Sequence, residues 1–102
     1  MVRIAVDRRK IAEFCRKWKI EELSLFGSVL RDDFRPDSDV DVLVRFGPEA
    51  HQSLWDLVHM QDELKAVLGR EVDLVERQSV EQSENYIRRK HILSSAEVVY
   101  VA

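Results

Sequence analysis

An α/β protein (an α+β sandwich) is the fold this sequence predicts: a small mixed β-sheet with helices packed on one face. Three observations carry that expectation. Strand-like apolar runs alternate with helix-like stripes along the chain. The strongest run, Ser38–Phe46, puts Val40, Val42, Val44 and Phe46 on one face and Asp39, Asp41, Leu43 and Arg45 on the other, because side chains alternate along a strand. At 102 residues the chain is long enough for one core, so a single domain over 1–102 is expected.

The elements follow in order. Asp7 can cap a helix over residues 8–18, where Ile11, Phe14, Cys15 and Trp18 recur at helical spacing. Leu23–Phe26 reads as a first strand and residues 28–32 as a short helical turn. Arg35 to Ser38 is a turn, since Pro36 fixes φ and Asp37 and Ser38 favour turn conformations. The valine-rich strand follows and closes at Gly47-Pro48.

A helix over residues 53–68 comes next, with Leu54, Leu57, Val58, Gln61, Leu64, Ala66, Val67 and Leu68 mostly on one face and Gly69 as its stop. Trp55 and Met60 fall on its flanks; both can be plain core, whereas exposure would mark an interface. Glu71–Val75 is a third strand. Ser79 or Ser83 opens a final helix to Leu93, and the tail VVYVA can add a short strand.

Composition narrows the function classes. Hydrophobic residues make up 45% and charged residues 34%, with no apolar run long enough to span a membrane and no signal segment, so a cytoplasmic protein is expected. The one cysteine, Cys15, excludes an internal disulfide and reads as a buried thiol. A net charge of −3 argues against direct nucleic-acid binding. The triplets Arg8-Arg9-Lys10 and Arg88-Arg89-Lys90 read as solvated helix faces, although an acidic protein partner could use either.

The chemistry concentrates in Leu23–Phe46, LSLFGSVLRDDFRPDSDVDVLVRF. Asp39 and Asp41 share a strand face, with their carboxylates roughly 6–7 Å apart by two strand rises. Left bare, they repel by a few kcal/mol (roughly, at an effective dielectric near 20). A hard divalent cation relieves that repulsion, and Mg²⁺ characteristically takes one or two carboxylates together with substrate phosphates. Asp73, in EVDLVE, has the same outward placement. A lone D-x-D is more often a solvated strand face. Here two aspartates interrupt a run of valines, although aspartate is disfavoured inside strands. Gly27 permits a close backbone approach or a positive φ, and Ser28 can open a turn whose N–H groups cradle phosphates. Arg45 shares the aspartate face and can offset the acids or meet a substrate; His51, His59 and His91 show no ligand spacing.

GSVLRDDFRPDSDVDVLVRF followed by LGREVDLVE resembles the minimal nucleotidyltransferase (MNT) antitoxin family of the DNA polymerase β-like nucleotidyltransferase superfamily. The family pattern is Gly-Ser, a spacer, Asp-x-Asp, and a third acid on a later strand. Gly27, Ser28, Asp39, Asp41 and Asp73 occupy those positions, with Arg31 and the run Arg35 to Asp41 matching its longer form. One departure is Asp32-Asp33, where many relatives carry glycine.

The resemblance implies a polymerase β-like fold and Mg²⁺-dependent transfer of AMP from ATP. Asp39, Asp41 and Asp73 would be catalytic and would hold two Mg²⁺ ions; Gly27, Ser28 and Arg31 would bind the nucleotide. It further implies the antitoxin of a type VII-like toxin–antitoxin pair, whose partner is a HEPN-type ribonuclease toxin modified on a tyrosine. The short chain agrees, since it leaves no room for an acceptor-holding domain. Two other readings stay open: a non-catalytic antitoxin that neutralises by binding alone, and a transferase acting on a small molecule or an RNA end.

Overall fold

The computed structural model describes residues 6–30 and 39–102. Four strands form one sheet in the order β3-β2-β1-β4: β1 (Ile20–Phe26), β2 (Val40–Phe46), β3 (Val72–Glu76) and β4 (Glu97–Val101). β1 runs antiparallel to β2 and β4, whereas β2 and β3 are parallel, so the sheet is mixed as expected. The parallel pair is joined through helix α2 (Leu54–Leu68), the crossover that parallel strands require.

Helix α1 (Arg8–Trp18) begins as its sequence dictates. The Asp7 carboxylate accepts the Arg9 and Lys10 backbone N–H groups at 3.1 and 3.2 Å, satisfying two otherwise unpaired donors. Its end is less legible: Lys19 takes the left-handed conformation at φ 58°, a place usually given to glycine, and the chain turns directly into β1 at Ile20. The first strand therefore starts three residues before the expected Leu23. α2 starts with a capping box in which Ser53 and Asp56 cap one another's backbone, and it stops at Gly69 with φ 69°.

The main core lies between the valine face and the pair α1 and α2. Val40, Val42 and Val44 are fully buried there with Leu23, Leu25, Ile11, Cys15, Met60 and Leu64. The buried side of α2 is rotated from the expected stripe. Met60, Leu64 and Leu68 point inward, while Leu54, Trp55 and Val58 are exposed. Met60 is thus a core residue and Trp55 a surface one. At the α1–α2 contact, the Trp18 indole N–H donates to Glu63 at 3.0 Å and Lys17 pairs with the same carboxylate.

The expectation that helices cover one face holds for α1 and α2 and needs correction beyond them. The expected final helix is two, α3 (Arg77–Glu81) and α4 (Tyr86–Ser95), and both pack on the aspartate side. Leu43 and Phe26 interrupt the polar pattern of that face, and Val80 and Ile92 bury them in a second apolar cluster. The end of the face that carries the acids lies outside this cluster.

Burial also sets the chemistry of Cys15, whose thiol is pushed up from 9.0 to about 12 despite the opposing pull of Arg16. A pKa raised on folding contributes stability that is complete below the unfolded value and is lost as pH rises through the folded one. Stability should therefore decline between pH 9.0 and about 12. Iodoacetamide at mildly alkaline pH should leave the native protein unmodified and label it only after denaturant is added. Native labelling at the rate of a free thiol would contradict this placement.

Candidate active site

The acids meet through strand register. Asp41, second in β2, lies between Phe26 on β1 and Asp73 on β3. Partnered residues on adjacent strands project to the same face, with backbones about 5 Å apart. Asp41 and Asp73 are therefore direct neighbours on one face, although 32 positions separate them in sequence. The pairing is fixed at its edge by the Val40 N–H, which donates to the Glu71 carbonyl at 2.9 Å. Asp39 precedes β2 by one residue and is exposed, as is Asp73; Asp41 is half-buried.

On the other side of Asp41 lies the Gly27 turn. β1 runs out at Phe26 and passes into a 3₁₀ turn over Gly27–Leu30, with Gly27 at φ +78°. A Cβ built on Gly27 would overlap Asp41 Oδ2 and come within 3.3 Å of Asp41 Cγ. Glycine is required there twice over, by its backbone angle and by the carboxylate against it. Ser28 is the second residue of the same turn. Leu30, its last, packs into the main core and pins the turn in place. The Gly27 turn at the end of β1, Asp41 on β2 and Asp73 on β3 thus lie side by side across the sheet.

Among the other candidates, Arg31 and the turn from Arg35 to Ser38 lie outside the described residues. Arg45 does share the aspartate face, but its guanidinium pairs with Glu21 at 3.8 Å and Glu22 at 3.6 Å, away from the acids. Arg77, which the sequence did not single out, bonds the same Glu22 at 2.8 Å and Glu81 at 3.0 Å, tying α3 to β1. His51, His59 and His91 are exposed. Arg8 donates to the Val99 carbonyl at 3.0 Å and Arg9 pairs with Glu13 on the surface, and all three residues of the first basic triplet are exposed, as a solvated helix face requires.

No three His, Cys, Asp or Glu side chains converge into a ready metal cluster among the described residues. Magnesium does not demand one, since it binds through one or two carboxylates and keeps the rest of its shell for water and phosphate. Neighbouring hard carboxylate donors beside a glycine turn fit that chemistry. No helix among the described residues is long and apolar enough to cross a membrane.

A sheet of this order, with acids on adjacent strands next to a glycine turn, defines a nucleotidyl-transfer scaffold. The sequence matches the nucleotidyltransferase domain family over residues 8–96, and the chain belongs to that family. A candidate protein adenylyltransferase of Methanocaldococcus jannaschii is 41% identical over 73 residues, 72% of this chain and 76% of that protein. The protein adenylyltransferase MntA of Thermococcus cleftensis is 38% identical over 68 residues, 67% of each chain. Among solved structures, a candidate minimal nucleotidyltransferase superposes with TM-score 0.66 at 29% identity, covering 87% of this chain and 85% of the other. A toxin–antitoxin crystal structure with AMP-PNP superposes with TM-score 0.70, over 95% of this chain and 75% of its own, and at 19% identity it speaks for the fold.

Proposed function

We propose that this chain is the antitoxin of a HEPN toxin pair and inactivates its partner by moving AMP from ATP onto a partner tyrosine. The observation that carries the reading is the juxtaposition of the Gly27 turn, Asp41 and Asp73 across the sheet. Two features of its relatives support it. The sequence relatives described above are named as protein adenylyltransferases, and solved neighbours include an AMPylated HEPN toxin in complex with an MNT antitoxin.

The residues divide the work by position. Gly27 lets the backbone come close to the β- and γ-phosphates, and Ser28 adds N–H donors from the turn. Asp41 and Asp39 would hold Mg²⁺ against the triphosphate, with Asp73 completing a second site; bound there, the metal would supply charge neutralisation for the transferring α-phosphoryl group and the leaving group. Asp73 also takes the proton from the acceptor hydroxyl. The acceptor oxygen then bonds to the α-phosphorus as the bond to the β-phosphate bridge breaks, releasing pyrophosphate. ATP and Mg²⁺ are thus the expected substrate and cofactor.

Label position tests the reaction type. With ATP labelled at the α-phosphate the HEPN partner should become labelled, and with ATP labelled at the γ-phosphate it should not. Label from the γ position would mean phosphorylation. A stable complex without label from either would favour neutralisation by binding alone.

A further inference from the structure

Beside the line of acids lies a small cavity that the reading above leaves unused. Its volume is about 110 Å³, well below the few hundred Å³ of a nucleotide-sized pocket, so it suits one side chain. Val75, Val80 and Ile92 line its apolar part, and Ser79, Ser83 and Arg88 are among its polar lining. Val75 is two residues beyond Asp73 on β3, so the cavity opens on the same face one step further along the strand.

Side matters here. The Gly27 turn lies on the β1 side of Asp41, and the strand residue that lines the cavity, Val75, belongs to β3 on its other side. In-line displacement puts the nucleophile opposite the leaving group. A triphosphate whose β- and γ-phosphates rest on the turn sends pyrophosphate out over β1. Its attacker must then arrive over β3, past Asp73 and this cavity.

The two arginines of the wall differ. Arg89 is half-buried and committed, donating to the Glu81 and Ser83 carbonyls at 3.4 and 3.3 Å and stacking over Tyr86 at 5.5 Å. Arg88 is exposed, and its guanidinium has no partner among the described residues. The rim therefore carries a free positive charge on a chain whose net charge is −3.

We propose that this cavity is the acceptor subsite. The partner's tyrosine ring rests on Val75, Val80 and Ile92 with its hydroxyl turned toward Asp73, and an acidic side chain next to that tyrosine pairs with Arg88. The inference rests on the transferase reading and adds to it the chemistry of the acceptor segment, an aromatic residue flanked by a carboxylate. Arg88 is a specificity-determining residue here and takes no part in the chemical step.

The test is transfer kinetics with the HEPN partner for wild type, Arg88→Glu and the cavity-filling Ser79→Trp, with AMP-PNP affinity and melting temperature measured alongside. Both variants should raise KM for the partner at least about tenfold, because reversed charge and lost space act on acceptor binding. They should leave kcat within about twofold and AMP-PNP affinity unchanged. Ser79 and Arg88 are exposed, so the fold should survive. Unchanged KM in variants that melt like wild type would overturn the subsite, as would a loss confined to AMP-PNP affinity. No transfer by wild type itself would instead sink the transferase reading, and this inference with it.

Discussion

Gly27→Ala should abolish most transfer while costing only modest stability. The added methyl meets two obstacles: φ +78°, which costs a non-glycine residue roughly 1–2 kcal/mol, and the Asp41 carboxylate in the space it would fill. Asp41 or the turn must shift, and a displacement of about 1 Å at a reacting centre can cost on the order of a hundredfold in rate. Gly69→Ala is the matched control. Gly69 has φ +69°, but nothing lies within 4 Å of its would-be Cβ. That variant should lose comparable stability and keep its transfer rate. Equal activity losses in both variants would mean that backbone strain, not the contact with Asp41, makes Gly27 necessary.

Asp39→Asn combined with Asp41→Asn should have the largest effect on activity, a loss on the order of a thousandfold or more, since metal-borne charge stabilisation is worth several kcal/mol. The amides keep side-chain size and remove the charge that would hold the cation. Stability should not fall much, because Asp39 is exposed, Asp41 is only half-buried and neither change alters side-chain volume. The variant should therefore remain folded, bind its partner and fail to protect cells from it. Full protection by this variant would support neutralisation by contact alone.

Local signals made much of this architecture legible. Asp7, Ser53 and Gly69 mark helix ends by capping chemistry that acts within a few residues, and all three work as their types suggest. The two-residue alternation of Ser38–Phe46 separated valines from aspartates correctly, because burial of one face enforces it. What failed was non-local. Parallel register is set by the crossover through α2, so the pairing of Asp41 with Asp73 had no sequence signature. The contact of Gly27 with Asp41 is likewise tertiary.

The buried stripe of α2 departs from the expected one because apolar residues surround that helix, and packing against β2 and α1 selects Met60 and Leu64 over Leu54 and Val58. Lys19 hid the start of β1, because a lysine in the left-handed region gives no warning of itself. Residues 77–95 carry only a weak apolar pattern, and their place over Leu43 and Phe26 shows only in three dimensions.

The most direct measurement is made on the proposed HEPN partner after it has been incubated with this chain, ATP and Mg²⁺ and separated again. Its intact mass and its ribonuclease activity are then read on the same sample. Neutralisation by transfer predicts a gain of about 329 Da per AMP, the mass left by phosphoryl transfer with loss of pyrophosphate, and a toxin that stays inactive when alone. An unmodified partner that regains its activity once this chain is removed would contradict it.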